Sequence, residues 1–589
     1  MRVRGLGFVV LHLLLTAAVA AAFAWRFDTG ARAAASHVLL LASWDLALLA
    51  IVTALPLPRQ TFRILLALTC TLQVYLYALN IVSYESWDRN MTGHLVTAFA
   101  PTVWSGREPF PVGKPGIVSF LVFPLLLFGA AFAMWGRSID DAVRAWRGRL
   151  RGLAIAALAV IFAGAFATTI RAGVAGRDNL YWKNELVSSF FRPDGFAFEP
   201  TERRHQVAER DAALRAAYRQ SAHTPHHKNI VLVIVDSLRA DRMQVYGYSR
   251  ETTPFLSSMV ASGRMKKVRD AFSTCSESFC GITSTLSSRE FPDISAETFN
   301  IEDALRDQGY AIHFLLSGNH RAWNGLPRFY HLNDGEMFDG SMTERYTMDD
   351  DRLVLEGLER VPDANPEREA SAGRKPAFFY VHLMSTHYLG VQFPESHVFT
   401  APDDRVSPGL EPYKILDKLN KPDRYDDKVR QADGMIRRLF DALTAKHYLD
   451  DAIVVITGDH GEGLGERHWA HGWHLYNEDI RIPLLIYDVP AASYPDLTFG
   501  VQIDIAPTML ERAGVPLPAS WEGESLLHPS QHRTTHHQTY FIPNRFATIT
   551  RDGAALTKSI STPQYGKEEA YDLRADPHEQ HDLRAPAQP

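Results

Sequence analysis

At 589 residues the chain is too long for one ordinary domain, and its apolar residues are spread unevenly, which predicts at least two units of different character. A net charge of -6 over this length argues against a general nucleic-acid binder, so no nucleic-acid partner is expected. Three cysteines, Cys70, Cys275 and Cys280, are too few for a disulfide framework or a cysteine zinc cage and leave room for one disulfide.

Five apolar segments come first, about Leu6 to Trp25, Val38 to Leu57, Phe62 to Val82, Ile117 to Trp135 and Leu153 to Ile170. Each is near the roughly 20 residues a spanning helix needs, so a five-helix transmembrane domain over 1–175 is predicted. Arginines set its direction. Arg2 and Arg4 precede the first segment, Arg59 and Arg63 fill the second loop, and Arg137, Arg144, Arg147, Arg149 and Arg151 crowd the fourth. By the positive-inside rule these loops and the N-terminus face the cytoplasm, and everything after Arg171 lies outside it. Basic Met1 to Arg4 and the sequence Ala22-Phe23-Ala24 also fit a cleaved secretory signal, but four further spans follow. Asp45, inside the second segment, marks either a headgroup or interhelical contact or an acid in the bundle interior. Arg171, Arg177 and Lys183 can meet lipid phosphates or simply snorkel. The stretch Thr201 to Gln220, with Val207, Ala208, Leu214 and Tyr218, reads as an amphipathic connector helix within a linker region, 176–227.

From Asn229 the pattern changes. NIVLVIVD is a continuous β-branched run ending in Asp236, as expected of a buried parallel strand delivering an acid at its C-terminal edge. Runs at Ala311 (AIHFLL), Ala377 (AFFYVHL), Ala452 (AIVVIT) and Ile482 (IPLLIY) alternate with helical stretches. They predict an α/β domain over 228–589 with a mostly parallel central sheet. Val361 to Lys375 and Ala401 to Pro422 read as surface insertions. Three strand ends then carry metal-type ligands: Asp236, His387 and the pair Asp459-His460. Taken singly, each has a plainer reading, Asp236 as a helix cap and either histidine as a satisfied core residue. At one sheet edge they suit a divalent zinc, manganese or magnesium ion.

The ordered motifs NIVLVIVDSLRAD, YGYSRETTPFLSSMVASG, VHLMSTH, TGDHGEGLGERHWAHG, LYNEDIRIPLLIY, IDIAPTMLERAGVPLP, WEGESLL and YDLRADPHEQHDL resemble the sulfatase and alkaline-phosphatase superfamily. The resemblance runs from Asn229 to the C-terminus. It implies that Asp236, Asp459 and His460 hold one divalent metal ion, that His387 and His471 contact the transferred group or protonate the leaving group, and that Arg481 belongs to a structural turn. In active sulfatases the nucleophile lies in a Cys-x-Pro-Ser-Arg signature; in phosphoethanolamine and phosphoglycerol transferases it is a Thr. Here the segment reads AFSTCSESFCGITSTLSS. Matching the signature's Ser to Ser278 places Cys275 at the nucleophile position, with Glu277 and Phe279 replacing Pro and Arg. Cys275, Ser276, and Ser278 or Thr274 are the candidates, beside the absence of any nucleophile and a structural Cys275–Cys280 disulfide.

Five spans followed by this domain is the layout of the phosphoethanolamine transferases, the lipoteichoic-acid phosphoglycerol transferases and YejM-type inner-membrane proteins. Ser278-Phe279-Cys280-Gly281-Ile282 looks most like the last. Two functions follow from the resemblance. One is a bacterial inner-membrane metalloenzyme with a periplasmic domain, moving phosphoryl-type groups of phospholipid or lipid A headgroups. The other is a vestigial lipopolysaccharide sensor that acts through an inner-membrane regulatory protein.

Overall fold

The computed structural model describes residues 202–220, 228–321, 326–364, 375–400, 421–539, 545–563 and 566–584, with the helix Gly113–Met134 and scattered positions between 14 and 77. The chain divides into two compact units, residues 1–194 with 407–415 and residues 195–406 with 416–589. In the first unit, helix α1 (Gly113–Met134, with Pro124 inside it) coincides with the fourth expected span, and helical positions from 60 to 77 fall on the third. Among the described residues no helix is long and apolar enough to cross a membrane, so they do not support the five-span, multi-pass expectation. The second and fifth segments, nearly all of the first, Asp45, Arg171, Arg177 and Lys183 lie outside the described residues. So does most of both expected insertions.

The second unit is built on a seven-stranded sheet. In chain order its strands are β1 (Asn229–Val235), β2 (Met265–Lys267), β3 (Ala311–Leu316), β4 (Met337–Asp339), β5 (Ala377–Leu383), β6 (Ala452–Gly458) and β7 (Leu484–Val489), and their spatial order is β2-β7-β6-β1-β5-β3-β4. β1 is central because all seven of its residues are apolar or buried, which suits a strand covered on both faces. Ile230, Leu232 and Ile234 enter one core with Phe279 and Ile282, while Val231, Val233 and Val235 enter the other with Val429 and Ile436. Each such side chain contributes about 1.5–3 kcal/mol relative to exposure.

β6, β1, β5, β3 and β4 run parallel, as the sequence predicts. β7 departs from that expectation: it runs antiparallel to β6 and to β2, making the sheet mixed. The chain between β6 and β7 folds back at the sheet edge through the small hairpin Gly463–Leu464 and Trp469–Ala470, with no helical crossover to bring β7 round in parallel.

Helix α2 (Glu202–Arg219) falls where the connector helix is expected, and it is clamped onto this unit. Asp211 pairs with Arg289 at 2.6 Å with both side chains buried, Arg215 meets Asp303 at 2.5 Å, and the Tyr218 hydroxyl donates to the Pro516 carbonyl at 2.9 Å. Helix α3 (Ser278–Ser287) packs on one face of the main sheet and helix α4 (Pro422–Ala445) on the other. A four-stranded antiparallel sheet, from His532–Gln538 to Lys567–Asp572, ends the unit.

Candidate active site

The parallel register brings three strand ends together. Ile234 of β1 lies beside His382 of β5, and Val235 beside Gly458 of β6, so Asp236, His382 and the Asp459-His460 pair share one edge, all buried. Immediately after Asp236 the backbone turns left-handed at Ser237, with φ of 61°. For a non-glycine residue this is a strained conformation, of the kind that concentrates at functional sites. It lets the Ser237 N–H donate to Asp459 Oδ1 at 2.9 Å while its hydroxyl donates to Asp236 Oδ1 at 2.7 Å. The His460 N–H also donates to Asp459 Oδ1, at 2.8 Å.

Candidate ligand atoms of Asp236, His382 and Asp459 lie within 4.8 Å of one another. His460 Nε2 stands 3.9 Å from Asp236 Oδ1 and 3.5 Å from Asp459 Oδ2. Asp459 Oδ2 and His382 Nε2 are buried with no hydrogen-bond partner. Burial, and then the neighbouring Asp459 carboxylate, push the pKa of Asp236 well above the usual carboxylate range. Open oxygen and nitrogen donors beside mutually repelling carboxylates fit a divalent cation, which would offset the repulsion. His382 was not assigned a role from the sequence. Its signal was a single imidazole near the end of an otherwise apolar strand. Its Nδ1 lies 3.2 Å from His320 Nε2, which also faces the Ser317 carbonyl at 3.0 Å; a His382 tautomer protonated on Nδ1 would leave the Nε2 lone pair for a metal.

Of the four hydroxyl and thiol candidates, Ser278 is the one that meets this group. Its Oγ lies 2.9 Å from His460 Nε2 and 3.3 Å from Asp236 Oδ2. It is the first residue of α3, and Glu277 caps that helix by accepting the N–H groups of Phe279 at 3.0 Å and Cys280 at 3.3 Å. Cys275 is paired with Cys280, Cα to Cα 5.9 Å, which removes the free thiolate considered for it and ties the preceding loop to the first turn of α3. The Ser276 hydroxyl is buried without a partner, and Thr274 bonds to Gln502 at 3.4 Å; neither makes the contacts of Ser278. Gly281 faces the end of β6, where an added Cβ would come within 2.5 Å of the Asp459 carbonyl oxygen. Gln502 donates to that same carbonyl at 2.7 Å.

His471 and His387 complete the edge. The His471 ring centre is 4.2 Å from that of His460 and 5.7 Å from that of His387. His471 follows Ala470, left-handed at φ of 65°, and its Nδ1 lies 2.9 Å from Glu462 Oε2. Burial alone would lower its pKa, but the Glu462 carboxylate, with Asp236 and Asp459, raises it to about 9. His387 goes the other way, held well below its ordinary value by burial and then by His471 and Lys428. Two histidines with oppositely shifted affinities for a proton suit one acid and one neutral hydrogen-bonding group. Arg481, expected in a structural turn, meets Asp270 at 3.2 Å.

Residues 228–515 match the sulfatase family, and residues 465–588 match the C-terminal region of N-sulphoglucosamine sulphohydrolase. The multifunctional alkaline phosphatase superfamily protein PehA of Trinickia caryophylli is 29% identical over 177 residues, 26% of this chain and 34% of that protein. Lipoteichoic acid synthase 1 of Bacillus subtilis is 24% identical over 318 residues, 49% of this chain and 46% of that one. The chain thus spans less than half the length of either relative. Among solved structures, the integral membrane protein lipooligosaccharide phosphoethanolamine transferase A of Neisseria meningitidis shares the fold. Its TM-score is 0.52 at 14% identity, over 87% of this chain and 97% of that one.

Proposed function

The chain belongs to the sulfatase/alkaline phosphatase superfamily, and from that premise we propose that it is a membrane-anchored, metal-dependent enzyme transferring or hydrolysing a phosphoryl-type group of an envelope-lipid headgroup. Ser278 is its nucleophile. The observation that carries this reading is the position of Ser278 Oγ, at the start of a buried helix and 2.9 Å from His460 Nε2. Asp236, Asp459, His460 and His382 would hold the cation, which when bound lowers the pKa of a coordinated hydroxyl and polarises a phosphoryl oxygen.

The chain's own residues supply the rest. The first turn of α3, whose Phe279 and Cys280 N–H groups are held by Glu277, fixes Ser278 at the positive end of the helix. His471, kept protonated by Glu462, delivers a proton to the leaving oxygen, and neutral His387 orients the transferred group beside it. The ring Cys275–Cys280 holds Ser278 against the strand edge without taking part in the chemistry. Ser278-Phe279-Cys280-Gly281 supports a YejM-like placement within the superfamily, and the apolar N-terminal segments support attachment to a bacterial inner membrane with this domain on the periplasmic side.

The test uses the full chain in detergent, with metal content and hydrolysis of aryl phosphate mono- and diesters as readouts. Ser278→Ala should lose at least ~10³-fold in turnover while keeping its metal, and Asp459→Ala should lose both. Cys275→Ala should keep most of its turnover. Full turnover in Ser278→Ala would remove the nucleophile. A wild type with neither metal nor turnover would leave the lipopolysaccharide-sensor reading in place of an enzyme.

A further inference from the structure

Next to His387 lies a set of donors only partly answered within the fold. Lys428, in the second turn of α4, is 2% exposed, and its ammonium makes one hydrogen bond, to the His387 carbonyl at 3.1 Å. Glu462 and Asp236 reach it only through space. Four residues earlier on the same helix face, Arg424 donates from Nε to Gln392 Oε1 at 3.2 Å. Its Nη1, and the side-chain Nε2 of Gln392, are buried without a hydrogen-bond partner.

The acids of α4 that might have answered these groups are committed elsewhere. Asp423 and Asp426 meet Arg250 at 2.6 and 2.7 Å, and Asp427, which reaches Arg424 only through space, accepts the backbone N–H groups of Val398, Phe399 and Thr400. A buried cation without an anion is costly, and a fold that retains one beside a reaction centre has left its partner to be supplied from outside. The shift at Lys428 agrees: burial, and then Arg424, pull its pKa down to about 7, and an anion would restore its charge.

We propose that Lys428, Arg424 and Gln392 form a second anion subsite, taking a phosphate group of the substrate other than the one Ser278 attacks. This rests on the reading of Ser278 as the nucleophile of a phosphoryl-type reaction. Two cations one helical turn apart, with the amide that Arg424 already touches, match a phosphate monoester or diester, whether it belongs to a lipid headgroup or to a soluble phosphate.

The subsite is tested by binding, in a chain that does not turn over. Full-length Asp459→Asn, which lacks an intact metal cradle, is titrated with inorganic phosphate and with detergent micelles carrying phosphatidic acid. Phosphate should still bind, and Lys428→Met or Arg424→Gln on that background should weaken it by at least about tenfold. The same loss with phosphatidic acid micelles assigns the site to a lipid headgroup; binding of inorganic phosphate alone assigns it to soluble phosphates. Unchanged affinity in both variants, or no binding of either probe, overturns the subsite. Lys428→Met should melt no lower than its parent in phosphate-free buffer, because it removes an unanswered charge; a large drop would assign Lys428 to holding the His387 loop and overturn the proposal. The binding readout does not depend on Ser278, so a wild type without turnover sinks the enzyme reading alone, and full turnover with unaltered phosphate binding sinks the subsite alone.

Discussion

Lys558 and Lys428 are buried in the same compact unit, yet the fold answers them in opposite ways. In the C-terminal sheet Lys558 meets Glu579 at 2.7 Å, with both side chains fully buried, and the side-chain oxygen of Asn477 at 3.1 Å. Glu579 in turn accepts the Asn477 N–H at 2.7 Å. At the strand edge Lys428 has a single carbonyl, and Asp459 Oδ2 and His382 Nε2 have no hydrogen-bond partner at all. At Lys558 the buried charge is answered within the fold. Where a ligand is expected, donors and acceptors stay open at a cost in stability.

The largest effect that tests this contrast is on stability. Lys558→Met strands Glu579 as a buried, unpaired carboxylate and should destabilise the unit by about 3–5 kcal/mol in a denaturant titration. Adding Glu579→Gln should recover part of the loss, whereas Lys428→Met should cost little. Equal losses at the two lysines would break the comparison, because both would then be structural.

A smaller effect sharpens it through two glycines. Gly281→Ala drives a Cβ against backbone atoms, the Asp459 carbonyl oxygen at 2.5 Å and its carbon at 3.2 Å, with no flexible side chain to yield. We expect a cost of about 2–3 kcal/mol, and a disproportionate fall in turnover because α3 and the end of β6 must part. In the C-terminal hairpin, Gly553 has open space around it but φ of +56°. Gly553→Ala should cost about 1–2 kcal/mol from the left-handed backbone alone and leave turnover untouched. Parallel losses of turnover in both variants would show that global stability, not local geometry, governs the site.

The same contrast explains what could be read in the sequence. β1, β5 and β6 were legible because strands covered on both faces must be uninterrupted apolar runs, and Asp236 and Asp459-His460 were legible because they end those runs. The reversal of β7 was not, since strand direction depends on the path of the chain between strands rather than on the strand's own residues. Matching the signature on a single serine favours Cys275 among the candidates, three residues before the Ser278 that lies 2.9 Å from His460 Nε2. The stronger signal was Glu277, a carboxylate positioned to cap a ten-residue helix that begins at Ser278. His382 was masked by its strand, because which strand residues face the edge groups depends on register with two partners. Lys428 stands in a stretch rich in charged residues with no sequence signal of burial, and the carbonyl it meets belongs to His387, on a distant segment.

The smallest effect is one of pH and compares two histidines, both raised to about 9. His331 is held by groups outside the strand-edge cluster: its Nδ1 lies 2.5 Å from Asp303 Oδ2 and its Nε2 2.7 Å from the Ala296 carbonyl. Burial alone would lower it, and Asp303 and then Glu302 raise it to about 9. A raised folded-state value means that the protonated histidine stabilises the fold. That contribution is complete below the unfolded value of about 6.5 and is lost as pH rises through about 9. Because Asp303 is shared with Arg215 and Arg306, the loss should be only about 1–2 kcal/mol. His331→Gln should flatten this decline in unfolding measurements between neutral and alkaline pH without altering the pH profile of turnover. His471→Gln should flatten the decline too, but it should also change the pH profile of turnover, as the proposed role of the Glu462-held imidazolium requires. If His331→Gln moved the turnover profile instead, α2 and its ion pairs would be coupled to the reaction, and the division between closed and open networks would not follow the fold.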